Sequence, residues 1–177
     1  MKRLRLVGLS HRTAPVEWRE RLAVSDDRLP SFLNALRADV GAGEAVVLST
    51  CNRVEVYAVT PPDGTAECLL RKSLLDLHGD VCLDGSLYAL EDTGAIRHLF
   101  RVAAGLDSLV VGEAEILGQV KKSYDLARQS ESTGKLTNVL FQRAMYVGKS
   151  VRTETKIAEG PTSVPSLAVS LARRIFG

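Results

Sequence analysis

Residues 45–58 read AVVLSTCNRVEVYA, and they carry the strongest indication of the fold class. The stretch opens with four apolar residues in a row, which is typical of a central strand. From residue 53 onward, small apolar residues alternate with Arg, Glu and Tyr, which is typical of a second strand. Because only a few polar residues separate the two runs, we predict an antiparallel hairpin with Cys51 in its turn.

Further elements are predicted on both sides of the hairpin. Residues 3–9 alternate and predict a half-buried strand, and residues 25–39 predict a helix that ends at Gly41. Residues 65–78 predict another helix, and residues 86–90 a last short strand. This order predicts an α+β fold with a ferredoxin-like antiparallel sheet covered by helices.

The rest of the chain is predicted to be all-helical from Thr93 onward. Three glycines interrupt these helices, namely Gly105, Gly112 and Gly134. We place one domain over residues 1–156, with a sheet part at about 1–91 and a helical part at about 92–156. Residues 157–177 are predicted to contain a connecting helix.

Composition limits the class of protein. The 177 residues carry a net charge of +2 and are 45% hydrophobic, as in ordinary globular domains. No apolar run approaches the roughly 18 residues of a membrane span. The first residues, MKRLRLVG, have too few apolar residues in a row for a signal peptide. We therefore expect a cytoplasmic protein.

The distribution of charge and the number of cysteines bear on the possible ligands of the chain. Basic residues outnumber acidic ones after Lys121, which permits phosphate contacts to RNA but is also typical of a solvated helix face. The three cysteines, Cys51, Cys68 and Cys82, are an odd number without CxxC spacing. A disulfide framework or a zinc site is therefore not expected, and one cysteine can be a reactive thiol.

The turn around Cys51 has the residue types of a nucleophilic site. A strand end is a rigid platform, and a cysteine just beyond it is accessible. Arg53 supplies a cation that favours the thiolate form, or it binds a carboxylate with its two-pronged guanidinium. Thr50 and Asn52 can hydrogen-bond a substrate carbonyl. The alternative is a polar hairpin turn that happens to contain a cysteine.

Three histidines are candidate partners for a thiol. His11 follows the first strand and reaches the hairpin if the two strands are neighbours. His98 lies on a predicted helix, where a lone histidine is more often structural than catalytic. His78 ends a predicted helix and is expected at the surface. The residues alone leave the choice between His11 and His98 open.

Four segments together resemble the glutamyl-tRNA reductase family. They are GLSHRTAP at residues 8–15, STCNRVE at 49–55, HLFRVAAGLDSLVVGEAEILGQVK at 98–121 and SVPSLAV at 163–169. The segments stand in the family's order and span nearly the whole chain. The resemblance is to the family's N-terminal catalytic domain.

The resemblance implies a reaction in which the thiolate of Cys51 attacks the ester that joins glutamate to its tRNA. NADPH then reduces the resulting thioester to glutamate-1-semialdehyde, the first step of tetrapyrrole (5-aminolevulinate) biosynthesis. His98 matches a histidine that the family needs, as a proton donor or an orienting group. The resemblance also implies glutamyl-substrate contacts at Thr50, Asn52, Arg53, Ser108, Glu113, Ala114, Glu115 and Gln119.

The sequence departs from the family in two ways. Ala114 and Glu115 stand where the family commonly has proline or another residue and then glutamine, so backbone contacts survive but a side-chain amide contact does not. The family's NADPH-binding and dimerisation domains are missing. We therefore expect a monomeric fragment limited to acyl transfer or esterase activity, and a homodimer at full length. Haem as a regulatory ligand and handover of the product to the next pathway enzyme are further expectations.

Two other functions remain open. The first is a stand-alone thiol hydrolase or esterase that uses Cys51 with His11 or His98. The second is a regulatory RNA-binding module on a ferredoxin-like sheet. Such modules stack bases on aromatic side chains, whereas only 5% of this chain is aromatic.

Overall fold

The computed structural model describes residues 2–77, 85–159 and 163–176. The strands are β1 (Arg3–Ser10), β2 (Glu44–Ser49), β3 (Arg53–Thr60) and β4 (Tyr88–Glu91). The helices are α1 (Val16–Arg21), α2 (Leu29–Val40), α3 (Ala66–Asp76), α4 (Asp92–Ala103), α5 (Glu115–Gln129), α6 (Lys135–Glu154) and α7 (Val164–Phe176). A short 3-10 turn at Lys156–Ala158 follows α6.

The four strands form one antiparallel sheet in the order β2-β3-β1-β4. Strands β1 and β3 are therefore central, although two helices and a strand separate them in sequence. This is the split βαβ arrangement of a ferredoxin-like fold. The predicted fold class and the predicted hairpin of β2 and β3 are confirmed.

One face of the sheet packs against α2 and α3. Helix α2 contributes the buried residues Leu29, Phe32, Leu33, Leu36 and Val40, and α3 contributes Ala66, Leu70 and Leu74. Gly41 ends α2 in the left-handed conformation at φ 66°, which glycine adopts at little cost. The prediction of a helix that stops at this glycine is confirmed.

The other face of the sheet is covered by α4, α5 and α6. Their buried residues include Leu99, Val102, Ile116, Val120, Phe141 and Ala144, which pack on Leu4, Leu6, Tyr57 and Val59 of the sheet. Seven of the eight residues of β1 are buried as a result. The prediction that β1 is half-buried is therefore wrong, because the helical segment folds back onto the sheet.

A carboxylate joins the sheet to the helical layer. Glu44, at the start of β2, accepts hydrogen bonds from the backbone N–H groups of Leu136 (3.3 Å) and Thr137 (2.7 Å). These donors lie in the first turn of α6, where backbone N–H groups have no partner within the helix. The carboxylate therefore caps α6 from a neighbouring strand.

Helix α7 lies outside both layers. Its large apolar side chains, among them Leu167, Leu171 and Phe176, are exposed. Within the described residues, no helix combines the length and the apolar character that crossing a membrane requires.

Candidate active site

The turn between β2 and β3 presents Cys51 to solvent. Thr50 closes the turn, since its N–H donates to the carbonyl of Arg53 at 2.8 Å. The Thr50 hydroxyl also accepts from the N–H groups of Asn52 (3.2 Å) and Arg53 (3.1 Å). These bonds fix the backbone on both sides of the thiol, so the predicted accessible cysteine on a rigid strand end is present.

The end of β1 lies beside this turn, as expected for neighbouring strands. The N–H of His11 donates to the carbonyl oxygen of Asn52 at 2.8 Å. Arg19 of α1 donates from Nε to the carbonyl oxygen of Cys51 at 3.0 Å. The cation held against Cys51 is thus Arg19, which the sequence pattern does not single out.

Arg53 points into the protein rather than towards the thiol. Only 1% of it is exposed. Its Nη1 donates to Oε1 of Glu55 at 2.7 Å and its Nη2 to the carbonyl oxygen of Asp107 at 2.6 Å. The expectation that this guanidinium faces Cys51 is therefore corrected, because a buried carboxylate binds it more strongly than the exposed turn does.

Glu55 is the centre of a group of five side chains, which we call the Glu55 cluster: Arg53, Glu55 and Tyr57, which are buried, and Tyr88 and His98, which are half-buried. Oε2 of Glu55 accepts from Tyr57 at 2.6 Å. Oε1 of Glu55 faces Arg53, the Tyr88 hydroxyl at 2.5 Å and Nε2 of His98 at 2.8 Å. The predicted residues Arg53 and His98 therefore meet on one carboxylate.

The electrostatics of the cluster keep Glu55 ionised. Burial alone would raise the pKa of Glu55, but the hydrogen bond from His98 and the charge of Arg53 outweigh it and lower the pKa to about 2. Burial and the neighbouring Glu55 charge raise the pKa of both Tyr57 and Tyr88, so their hydroxyls stay protonated and donate. The carboxylate is thus a permanent acceptor at neutral pH.

Gly8 leaves the space in which this cluster forms. It pairs with Glu55 in β3 on one side and with Tyr88 in β4 on the other. Residues directly opposite one another in antiparallel strands share a face of the sheet. A Cβ at Gly8 would lie 2.4 Å from the carbonyl oxygen of Val54 and 2.9 Å from Cγ of Glu55. Glycine therefore lets Tyr88 reach Glu55 across β1.

A cavity of about 310 Å³ opens above the cluster, and we call it the His98 cavity. It is lined by Ser10, Arg12, Thr13, Arg53, Tyr88, Leu90, His98, Arg101 and Asp107. The lining carries three guanidinium groups and one carboxylate, which gives it an excess of positive charge. Such a lining favours an anionic ligand.

Asp107 organises two of these guanidinium groups. It accepts from Nε and Nη2 of Arg101, both at 3.1 Å, and lies 3.2 Å from Nη2 of Arg12. Burial would raise the pKa of Asp107, but the hydrogen bonds and charge of Arg101 lower it. The carboxylate therefore holds both cations at the mouth of the cavity.

His11 is the second histidine near the turn. Burial lowers its pKa, and the charges of Arg53, Arg12 and Arg19 lower it further. Its Nδ1 is buried and has no hydrogen-bond partner in the part of the chain that the structure describes. His11 is therefore neutral at physiological pH, and its backbone rather than its ring is bonded to the turn.

The other predicted substrate contacts lie farther along the chain. Ser108 is buried next to Asp107, and its hydroxyl has no partner in the described structure. The carbonyl oxygen of Glu113 accepts from Arg152, while Ala114 and Glu115 are exposed where α5 begins. These roles remain predictions.

Gln119 lines a different cavity. This cavity, of about 190 Å³, also contacts Ser49, the last residue of β2. The predicted residues therefore fall into two groups that flank the Cys51 turn. His98 and Arg53 lie in one cavity, and Gln119 lies in the other.

Several site residues were missed by sequence reasoning. Glu55 and Tyr57 follow Arg53 at the two-residue spacing that places strand residues on one face, and this spacing was the available signal. No local sequence pattern indicates Tyr88 or Asp107 as site residues. Tyr88 reaches the cluster through the pairing of β4 with β1, and Asp107 through the loop before α5.

His78 and Cys82, named above, lie outside the described residues. No group of three or more metal-ligating side chains occurs in the part of the chain that the structure describes.

The fold and the site together indicate the class of this protein. The sheet has the split βαβ arrangement, a thiol is exposed at a strand end, and a cationic cavity contains a histidine. The chain is an α+β domain that carries a free, exposed cysteine and a cationic cavity with a histidine in its lining. The family model "Glutamyl-tRNAGlu reductase, N-terminal domain" matches residues 7–155. The chain therefore belongs to the glutamyl-tRNA reductase family.

Individual relatives agree with this assignment. The glutamyl-tRNA reductase of Marinobacter nauticus is 48% identical over 172 residues, covering 96% of this chain and 40% of the relative. That of Syntrophotalea carbinolica is 49% identical over 175 residues, covering 97% and 39%. The structure of glutamyl-tRNA reductase from Methanopyrus kandleri matches with a TM-score of 0.76 and 40% identity, over 97% of this chain and 39% of that one. The chain thus spans about 40% of the length of these relatives.

Proposed function

We propose that this chain carries out the acyl-transfer half of the glutamyl-tRNA reductase reaction, with Cys51 as the nucleophile. The observation that carries the proposal is the exposed Cys51 turn, whose following strand anchors the His98 cavity through Arg53 and Glu55. Strand β3 thus begins at the turn that carries the exposed thiol, and its residue Glu55 holds His98 of α4 at the cavity.

In the proposed reaction, the thiolate of Cys51 attacks the carbonyl carbon of the ester that joins glutamate to the 3′ end of tRNA. A carbon–sulfur bond forms, and the bond between the carbonyl carbon and the tRNA oxygen breaks. The departing oxygen takes up a proton and becomes the free hydroxyl of the tRNA. His98 is the proposed group that takes the thiol proton and returns it to this oxygen.

The His98 cavity is the proposed site for the side-chain carboxylate of the glutamyl group. Arg12, Arg53 and Arg101 provide the positive charge, and Asp107 holds two of them in place. Nε of Arg53 is buried and has no hydrogen-bond partner among the described residues, so it remains available as a donor. Asn52, which makes no side-chain hydrogen bond to described residues, is the proposed ligand of the ester carbonyl.

Gln119 and the residues at the start of α5 are proposed to contact the glutamyl group from the other side of the Cys51 turn. The exposed basic residues after Lys121 are proposed to contact tRNA phosphates, since such contacts position a nucleic acid without reading its sequence. They include Lys121, Lys122, Arg128, Arg143 and Lys149.

The second half of the family's reaction, reduction by NADPH, is not assigned to any described residue. A dinucleotide loop must follow a strand and open a helix, so that the pyrophosphate meets the helix N-terminus. Gly41 and Gly43 stand in the reverse order, between α2 and β2. This loop therefore does not fit a dinucleotide, and the proposed mechanism is limited to acyl transfer.

The fold argues against the alternative of an RNA-binding sheet. Modules of that type stack bases on an open face of the sheet. Here helices cover both faces, with α2 and α3 on one side and α4, α5 and α6 on the other. A thiol hydrolase that acts without tRNA is distinguished by the experiment below.

The test is to incubate the chain with tRNA that carries labelled glutamate and to measure label on the protein. We expect label on wild type that hydroxylamine releases, and none on Cys51→Ser. Cys68→Ser is the matched control, because Cys68 is also a free, exposed cysteine. This variant should retain wild-type labelling.

Label that survives in Cys51→Ser would contradict the proposal. Equal labelling from a simple glutamate ester without tRNA would favour the thiol hydrolase instead. No label on folded wild type would remove the support for acyl transfer by this chain alone.

A further inference from the structure

The contact between His98 and Glu55 determines which ring nitrogen of His98 carries the hydrogen. Nε2 of His98 lies 2.8 Å from Oε1 of a carboxylate that has no exposure to solvent. An ionised carboxylate can only accept hydrogen bonds, so Nε2 must carry the hydrogen. Nδ1 of His98 bonds to none of the described residues, and the ring lines the His98 cavity. Nδ1 is therefore the nitrogen left for chemistry.

We propose that Glu55 is a positioning residue that holds His98 as the Nε2–H tautomer and leaves Nδ1 as the proton acceptor in the cavity. The catalytic consequence rests on the acyl-transfer function proposed above, whereas the tautomer does not. The arrangement has the logic of a nucleophile, a base and an orienting carboxylate. Cys51, His98 and Glu55 fill these three roles.

The donors around Glu55 fix the orientation of its carboxylate, and this orientation fixes the ring of His98. The carboxylate accepts from four donors, which are Arg53, Tyr57, Tyr88 and His98. Three of them share Oε1 and one bonds to Oε2, so neither oxygen is left without a donor. The carboxylate therefore cannot rotate without breaking these bonds. Its orientation, and through it that of His98, is fixed.

Tyr88 adds a second restraint on the imidazole. Its ring centroid lies 5.6 Å from that of His98 at a tilt of 55°. Its hydroxyl shares Oε1 of Glu55 with Nε2 of His98. Tyr88 reaches this position only because Gly8 has no side chain between β4 and β3. The ring plane of His98 is therefore held by packing as well as by the hydrogen bond.

Tyr57 offers a matched control. It also donates a phenol hydrogen bond to Glu55, at 2.6 Å, and it is fully buried. It bonds to the other oxygen, packs edge-on against Phe141 with centroids 5.5 Å apart, and does not line the His98 cavity. Tyr57→Phe thus removes a bond from the same carboxylate without touching His98.

The first experiment is nuclear magnetic resonance of the chain with ¹⁵N-labelled histidine. We expect a hydrogen-bonded Nε2–H signal, protected from solvent exchange, that disappears in His98→Gln. Glu55→Gln offers one neutral acceptor oxygen to the same donors, so the signal should lose its protection. Tyr57→Phe should keep the signal.

The second experiment is the single-turnover rate of Cys51 acylation by labelled glutamyl-tRNA. We expect Glu55→Gln to slow acylation about 10- to 100-fold, with unchanged tRNA affinity. This is less than the roughly 100- to 10,000-fold contribution of a general acid or base, because Glu55 acts through His98. Cys68→Ser, at an exposed cysteine outside the Glu55 cluster, should acylate at the wild-type rate. Circular dichroism verifies that each variant is folded.

A wild-type His98 with its hydrogen on Nδ1 would overturn the proposal, and this measurement needs no variant to fold. Wild-type acylation by Glu55→Gln would overturn the positioning role. A protected Nε2–H signal in a protein that forms no thioester would instead contradict the proposed function and support the assigned tautomer.

Discussion

Glu55 is an ionised carboxylate with no exposure to solvent, and its partners explain how the fold tolerates it. Arg53 supplies a full positive charge, while Tyr57 and Tyr88 supply neutral donors. A buried charge that loses one of its ionic partners costs about 3 to 5 kcal/mol. The stability of the chain should therefore depend on whether Glu55 is charged.

This dependence gives a prediction for acid unfolding. The pKa of Glu55 falls from its ordinary value of 4.5 to about 2 in the folded protein. A depressed pKa means that the stabilisation is complete above pH 4.5 and is lost as pH falls towards 2. We expect the free energy of unfolding, measured with urea, to fall over this range in wild type.

Glu55→Gln should be less stable than wild type by about 3 to 5 kcal/mol at pH 7, because Arg53 is left without a counter-charge. The difference between the two proteins should shrink as the pH is lowered. Glu20→Gln, at an exposed position, serves as the control and should follow wild type. A constant difference from pH 7 to pH 3 would contradict the assigned ionisation.

The exposure of Cys51 could be predicted from the sequence, whereas the direction of the Arg53 side chain could not. An exposed thiol in a hairpin turn follows from two strand patterns and the polar residues between them. The direction of the Arg53 side chain does not follow, because it depends on Glu55 beside it and on the Asp107 carbonyl more than fifty positions later. The tyrosine at position 88 was unpredictable for the same reason.

At the scale of elements, Glu44 connects β2 to the N-terminus of α6. Burial would raise the pKa of Glu44, but hydrogen bonds from the backbone and hydroxyl of Thr137 and from Leu136 N–H lower it. The positive end of the helix dipole also favours a carboxylate here. Glu44 thus helps to set the register between the sheet and its helical layer, together with the hydrogen bonds between Ala45 and Ser132.

We expect Glu44→Ala to lower the free energy of unfolding by about 1 to 3 kcal/mol, since it leaves buried N–H donors of α6 unpaired. Urea unfolding at pH 7 measures this. Glu20→Ala, on the exposed surface of α1, should change stability by less than about 0.5 kcal/mol. Equal effects of the two substitutions would show that the cap contributes nothing.

The limits of the elements were largely accessible from sequence. The breaks predicted at Gly105, Gly112 and Gly134 all lie between helices, and Gly134 directly precedes α6. The start of α2 was predicted at Ser25, whereas the helix begins at Leu29 after a turn. A glycine ends a helix through its own backbone, so the break can be predicted from the sequence. A cap supplied by a carboxylate on a distant strand cannot be predicted in this way.

At the scale of the whole molecule, burial is distributed unevenly. Strands β1 and β3 lie at the centre of the sheet with helices on both faces. The described side chains of α7 are largely exposed, so little packing stabilises that helix. A helix of about a dozen residues is only marginally stable without tertiary packing.

Hydrogen exchange should report this difference. We expect the amides of β1 and β3 to exchange slowest, since opening them requires global unfolding. The amides of α7 should exchange within seconds in the isolated chain. Mass spectrometry of peptides from the exchanged protein measures this. Helix α6, which buries Leu140, Phe141 and Ala144, is the control for helicity itself. Protection of α7 equal to that of α6 would contradict this distribution of stability.

The strands, most of the helices, the ferredoxin-like order and the turn that exposes Cys51 can be predicted from the amino-acid sequence. These features depend on local periodicity, glycine and the spacing of motifs. The burial of Arg53 and Glu55, the contact between His98 and Glu55, and the position of Asp107 at the cavity follow only from the three-dimensional packing. Alternation along a strand shows which side chains share a face, but not what covers that face. Here the covering layer is formed by helices that come more than thirty residues later in the chain.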